Sequence, residues 1–113
     1  MPAFDRGEVV NVPLDPAMGH EQKGSRPALA LTSKAFNQLG DALIAPLMQG
    51  GDFSRYAGCA VSLTGSGCKT QGVAPINKIR MLDLTARKAR KIERVPQPVM
   101  EDAIGRLMAL LDG

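Results

Sequence analysis

GEVVNVPL at residues 7–14, DPAMGHEQKGSRP at 15–27 and ALALT at 28–32 decide the fold class of this chain. The first stretch is apolar, rich in valine and bounded by Gly7 and by Asp15-Pro16, so it reads as a strand ending in a turn. The last resumes the apolar run as a second strand. Between them lies a polar, glycine-bearing loop, and a loop that long in a small domain often carries function. Outward from this unit the alternation continues. SKAFNQLG (33–40) reads as a helical turn, Leu43 to Met48 as a strand that meets a sheet edge at Pro46, and Gln49-Gly50-Gly51-Asp52 as a flexible turn. Cys59 to Leu63 is a further strand, and GSGCKTQG (65–72) is a glycine-punctuated hairpin leading into Val73 and Ala74. Strand-like pieces also occur at Ile79 to Leu84 and Lys91 to Val95, so about five to seven short strands at close spacing predict a compact barrel or half-barrel.

The last segment has a different period. Met100, Ala103, Ile104, Leu107, Met108 and Leu111 recur at steps of three and four after two prolines, which predicts an amphipathic helix with Pro98 at its first position and its methionines and leucines facing the core. The fold class expected is therefore mainly β with one C-terminal helix.

At 113 residues, with 44% hydrophobic and 22% charged residues, the chain fits one globular domain over residues 1–113 and neither a disordered tail nor a fibrous repeat. No run approaches the length needed to span a membrane, and MPAFDRGEVV lacks the layout of a signal peptide, so a cytoplasmic protein is expected. Cys59 and Cys68 are then expected to be reduced. With His20 the only histidine and no clustered ligand set, neither a metal site nor a cofactor is expected.

The net charge of +3 is mild, but half the basic residues fall between Lys78 and Arg94, with Asp83 and Glu93 as the only acids there. This segment is either a solvated face or a phosphate-facing patch. Reactive side chains concentrate instead in the long loop: His20, Glu21, Gln22, Lys23, Ser25 and Arg26, flanked by Gly19, Gly24 and Pro27.

Gly7-Glu8-Val9-Val10, Leu14-Asp15-Pro16, Gly19-His20-Glu21-Gln22, Gly24 and Arg26-Pro27 together resemble the opening signature of the PemK/MazF toxin endoribonuclease family. The similarity continues through AFNQLG (35–40), APLMQGGDFSRYAG (45–58), Gly72-Val73, IRMLDLTAR (79–87) and ERVP (93–96), and is shared with its PemK-like and ChpB-like members. The resemblance implies a small SH3-like barrel with a C-terminal helix, a homodimer, and a cognate antitoxin protein as partner. It also implies metal-free, sequence-selective cleavage of single-stranded mRNA without the ribosome, leaving 2′,3′-cyclic phosphate and 5′-hydroxyl ends.

Such cleavage needs a base for the 2′-hydroxyl proton, a cation for the phosphorane charge and an acid for the leaving 5′-oxygen. Arg26 matches the family's catalytic arginine, and its planar guanidinium can hold two phosphate oxygens at once. His20 and Glu21 match positions implicated in catalysis or substrate orientation; either can accept the proton, while Glu21 can instead support the loop through backbone amides. Gln22, Met48, Gln49, Phe53 and Asn77 are the expected RNA contacts, with Phe53 and Tyr56 either stacking on bases or capping the barrel.

Three positions depart from the family. Thr or Ser usually stands where this chain has Met48, whose thioether donates no hydrogen bond, and Pro75 and Asn77 replace the arginine and aspartate of PemK-like members. ChpB-like members also carry Asn there. The rival reading is thus a degenerate toxin that binds RNA or antitoxin without cutting. A gyrase poison of the related CcdB type acts through a C-terminal tryptophan, and this chain has none.

Overall fold

The computed structural model describes residues 3–13, 25–49 and 58–112. The chain runs through β1 (Glu8–Pro13), β2 (Ser25–Ala30), α1 (Lys34–Asn37), β3 (Ala42–Pro46), β4 (Ala60–Ser62), β5 (Val73–Pro75), a 3-10 turn (Ile76–Lys78), β6 (Arg80–Leu82), β7 (Arg90–Arg94) and α2 (Gln97–Asp112). Five strands form an antiparallel sheet in the order β6-β3-β2-β1-β7, and β4 and β5 form a separate two-stranded ribbon. The mainly β architecture with a C-terminal helix expected from the sequence is the one observed. Among the described residues the two sheets do not close into a continuous barrel, because the strands of the ribbon are three residues long and only one bridge joins it to the larger sheet.

The three valines of β1 are all buried because they alternate between two covered faces. Val9, with Leu29 and Ala45 on the neighbouring strands, joins a core completed by Leu47, Val61, Leu63, Ala74 and Ile76 and by Val99, Met100 and Ala103 of α2. Val10 and Val12 face the other way, into a second cluster with Ala28, Ile44, Leu82 and Leu84. Glu8 is also buried. Its carboxylate accepts the Asp5 amide at 2.7 Å and pairs with Lys91 Nζ at 3.3 Å and Arg94 Nη2 at 3.4 Å, so the N-terminal turn is tied to β7.

β3 ends at Pro46, two residues before the expected limit. Its neighbour β6 pairs only as far as Ile44, so the missing proline N–H falls beyond the last rung on that side. Leu47 and Met48 then leave the sheet. The Leu47 amide donates to Pro27 O at 2.9 Å, and Met48 exchanges main-chain hydrogen bonds of 2.8 and 3.0 Å with Val73 of β5. This bridge is the seam between the two sheets, and it requires a glycine beside it. Gly72 has φ +121°, and a Cβ there would lie 2.5 Å from the Met48 carbonyl oxygen.

α2 starts one residue before Pro98 and packs on β4 and the 3-10 turn. Val99, Met100 and Ala103 are buried and Ile104 and Leu107 pack partly, but Met108 is 59% and Leu111 78% exposed. The apolar stripe therefore corrects the expectation of a wholly core-facing face: only the first half of the helix lies over the core. Cys59 and Cys68 are both free thiols, and no described helix is long and apolar enough to cross a membrane.

Replacing Gly72 by Ala forces both a disfavoured φ and a collision with backbone, for an expected loss of about 2–4 kcal/mol in urea denaturation. Gly65→Ala, also at positive φ but with nothing within 4 Å of its Cβ, should lose only about 1–2 kcal/mol. Equal losses would show that the close approach at residue 72 is unimportant.

Candidate active-site cleft

Arg26 stands on a strand rather than on a free loop. It pairs across the sheet with Val12, one step inside the Pro13–Ser25 rung at which the segment 14–24 leaves and returns. Arg87 Nη1 donates to the carbonyl oxygen of Pro13 at 3.0 Å, which fixes one foot of that segment. The half-buried Arg26 lines a cavity of about 380 Å³ together with Ser25, Pro27, Leu47 and Gln49.

A second cavity, of about 650 Å³, shares Pro27 and Gln49 with the first and extends along Thr64, Lys69, Thr70, Gln71 and Gly72. Both open at the seam, which positions Gln49 immediately after the bridging Met48. The Gln49 side chain is held in turn, since its Nε2 donates to Gln71 O at 2.9 Å. Gln71 Nε2 donates to Cys68 O at 2.9 Å, which stiffens the hairpin from within. Among the described residues no carboxylate lines either cavity, whereas Arg26 lines the first and Lys69 the second. Cations and amides along the walls of a groove suit an anionic chain.

The structure brings Arg26, Gln49 and the main chain of Met48 to one place. Asn77 is elsewhere: it is exposed on the 3-10 turn beyond the far end of β5 and lines neither cavity. His20, Glu21, Gln22 and Phe53 lie outside the described residues. Thr64, Lys69 and Gln71 were not among the expected contacts. Their signal was the hairpin GSGCKTQG, whose final glycine lets the ribbon approach Met48.

The basic segment also resolves. Arg94 and Lys91 pair with Glu8, Arg94 pairs with Asp5 at 3.5 Å, and Lys91 Nζ lies 5.9 Å from the centre of the Phe4 ring. Arg87 is committed to Pro13. These cations hold the fold together, and of residues 78–94 only Ile92 lines the cleft.

The Glu93 carboxylate meets the far wall of the cleft and is occupied there. It accepts the Lys69 amide at 3.0 Å and the Thr70 amide at 2.7 Å. A hydrogen bond from the Thr70 side chain, reinforced by the two amides and the charge of Lys69 and only partly opposed by burial, holds its pKa below the ordinary carboxylate value of 4.5. A folded-state pKa below the unfolded one means stability that is complete above about pH 4.5 and lost as the pH falls through the folded value. Glu93→Gln should therefore melt at a lower temperature than the parent at pH 7, with the gap closing as the pH is lowered toward 3. A gap independent of pH would contradict this.

A model of the family described as PemK-like, MazF-like toxin of type II toxin-antitoxin system matches residues 5–111. Over 110 residues the chain is 49% identical to endoribonuclease toxin ChpB of Escherichia coli K12, covering 96% of this chain and 95% of that one. It is 44% identical to endoribonuclease PemK of Escherichia coli over 109 residues, 96% of this chain and 82% of the relative. Among solved structures, the MazE-MazF complex from Deinococcus radiodurans superposes with a TM-score of 0.84 at 29% identity, covering 99% of this chain and 98% of the other.

Proposed function

We propose that this chain, which belongs to the PemK-like, MazF-like toxin family of type II toxin–antitoxin systems, is an endoribonuclease that cuts single-stranded mRNA at the Arg26 cleft. The observation that carries the reading is the half-buried guanidinium of Arg26 in a cleft whose described lining holds a second cation, Lys69, and the amides of Gln49 and Gln71. A phosphodiester entering there meets a rigid, two-pronged cation mounted on a strand.

RNA supplies its own nucleophile. The 2′-oxygen attacks the adjacent phosphorus in line and the P–O5′ bond breaks, giving a 2′,3′-cyclic phosphate and a 5′-hydroxyl. Arg26 binds the nonbridging oxygens as their charge grows. His20 or Glu21 takes the 2′-hydroxyl proton, and Arg26 or a group it orders returns one to the 5′-oxygen. The reading calls on neither a metal nor another cofactor. Gln49 and the chain at Met48 contact nucleotides beside the cut, with Gln22 and Phe53 as further contacts and Asn77 reaching only a flanking nucleotide.

The rest of the reading follows the family. Residues 1–113 act as one toxin domain, in the cytoplasm, as a homodimer that a cognate antitoxin protein neutralises and that cuts without the ribosome. The thioether of Met48 keeps one competing reading in play, a toxin that binds RNA without cutting it.

Incubation of the protein with a long single-stranded RNA in excess EDTA should give discrete cuts ending in cyclic phosphate. Arg26→Ala should lower the cutting rate by about 10²–10³, the usual cost of removing one preorganised donor to a developing oxyanion. Intact RNA from folded, RNA-bound protein would instead identify the non-cutting binder, and full activity of Arg26→Ala would remove Arg26 from the reaction.

A further inference from the structure

The far wall of the cleft is a glycine-rich hairpin, and one carboxylate sets its height. Glu93 on β7 reaches across to take two consecutive hairpin amides, those of Lys69 and Thr70. Two short bonds from adjacent amides to one carboxylate fix the local backbone in both position and direction. The segment between β4 and β5 carries three glycines at positive φ, and its other ties, among them the Ser66 and Gln71 hydrogen bonds within the turn and Gln49 Nε2 on Gln71 O, leave the Lys69 and Thr70 amides to Glu93. With its carboxylate engaged by the main chain, Glu93 makes no ion pair with the Lys69 ammonium, and neither does any other described carboxylate. Lys69 is exposed and lines the cavity that continues from Arg26 through Pro27 and Gln49.

We propose that Lys69 binds a backbone phosphate of the RNA strand whose scissile phosphate lies at Arg26, and that Glu93 is a positioning residue holding Lys69 over the cleft. The inference rests on the endoribonuclease reading above. A single strand following the shared wall passes from one cation to the other with Gln49 between them, so the Lys69 contact is to phosphate and not to a base. Phosphate contacts fix register and carry no sequence information directly.

The two roles give different signatures. Binding of a 2′-O-methyl oligoribonucleotide of mixed sequence, which lacks the nucleophile, is measured across a series of salt concentrations for the full chain. Lys69→Ala should reduce the slope of log K against log salt by about 0.7, the contribution of one phosphate on a single strand, and weaken binding about fivefold at low salt. Cut positions in ordinary RNA should be unchanged. Glu93→Gln, assayed at pH 7 below its melting temperature, should weaken binding although it removes a negative charge near the cleft, whereas charge alone predicts tighter binding.

An unchanged slope for Lys69→Ala, with the parent protein still cutting RNA, overturns the phosphate contact and leaves the nuclease reading intact. Tighter binding by Glu93→Gln overturns the positioning role. If the parent protein neither binds nor cuts RNA, both this inference and the reading beneath it fall. Lys69→Ala carries the test should Glu93→Gln not fold, because the Lys69 side chain makes no described hydrogen bond or ion pair and the main-chain bonds to Glu93 remain.

Discussion

Two sheets meet in this molecule through a pair of main-chain hydrogen bonds between Met48 and Val73, and that pair exists because residue 72 has no Cβ. A methyl group at that position would sit 2.5 Å from the Met48 carbonyl oxygen, well inside van der Waals contact. With the seam closed, Leu47, Leu63, Ala74 and Ile76 share one buried cluster with Val9 and Leu29 of the larger sheet. With it open, the ribbon would keep only its side-chain packing and its ties through Glu93 and Gln49. The seam also determines where a cleft can form, since strand β3 ends and the chain turns outward there.

The chemistry of the cleft follows from how charge is distributed around that seam. The densest basic segment has an architectural role: Lys91 and Arg94 neutralise the buried Glu8, and Arg87 holds the end of β1. Buried Glu8 would be costly without those partners. The cations that face the cleft, Arg26 and Lys69, come from regions of the sequence where basic residues are sparse. The described lining of the cleft thus carries two placed cations rather than a share of a general surplus, in keeping with a net charge of only +3.

Much of the fold was legible in the sequence. The valine run of β1, the glycine-punctuated hairpin and the three- and four-residue spacing of α2 each have one local structural solution, and each formed close to where the pattern placed it. The outer half of α2 misled because spacing reports which face is apolar but not how far the core beneath it extends. Glu8 read as an ordinary strand residue, since its partners Lys91 and Arg94 are more than eighty residues away. Glu93 and Lys69 meet for a similar reason, since Glu93 sits on β7 of one sheet and Lys69 in the turn of the other, and no local spacing links them. Of the expected site, Arg26 and Gln49 share a cleft, while Asn77 does not, because β5 runs between the seam and the turn that carries it.

The central claim is that the seam and the RNA site are the same place. It is tested most directly by following backbone amide resonances of the isotope-labelled protein as the non-cleavable 2′-O-methyl oligoribonucleotide is added. The account predicts that the largest changes fall at Arg26, Gln49, Lys69 and Gly72, with α1 and the exposed end of α2 unaffected. Changes centred on α2 or on the Asn77 turn, with the seam undisturbed, would contradict it.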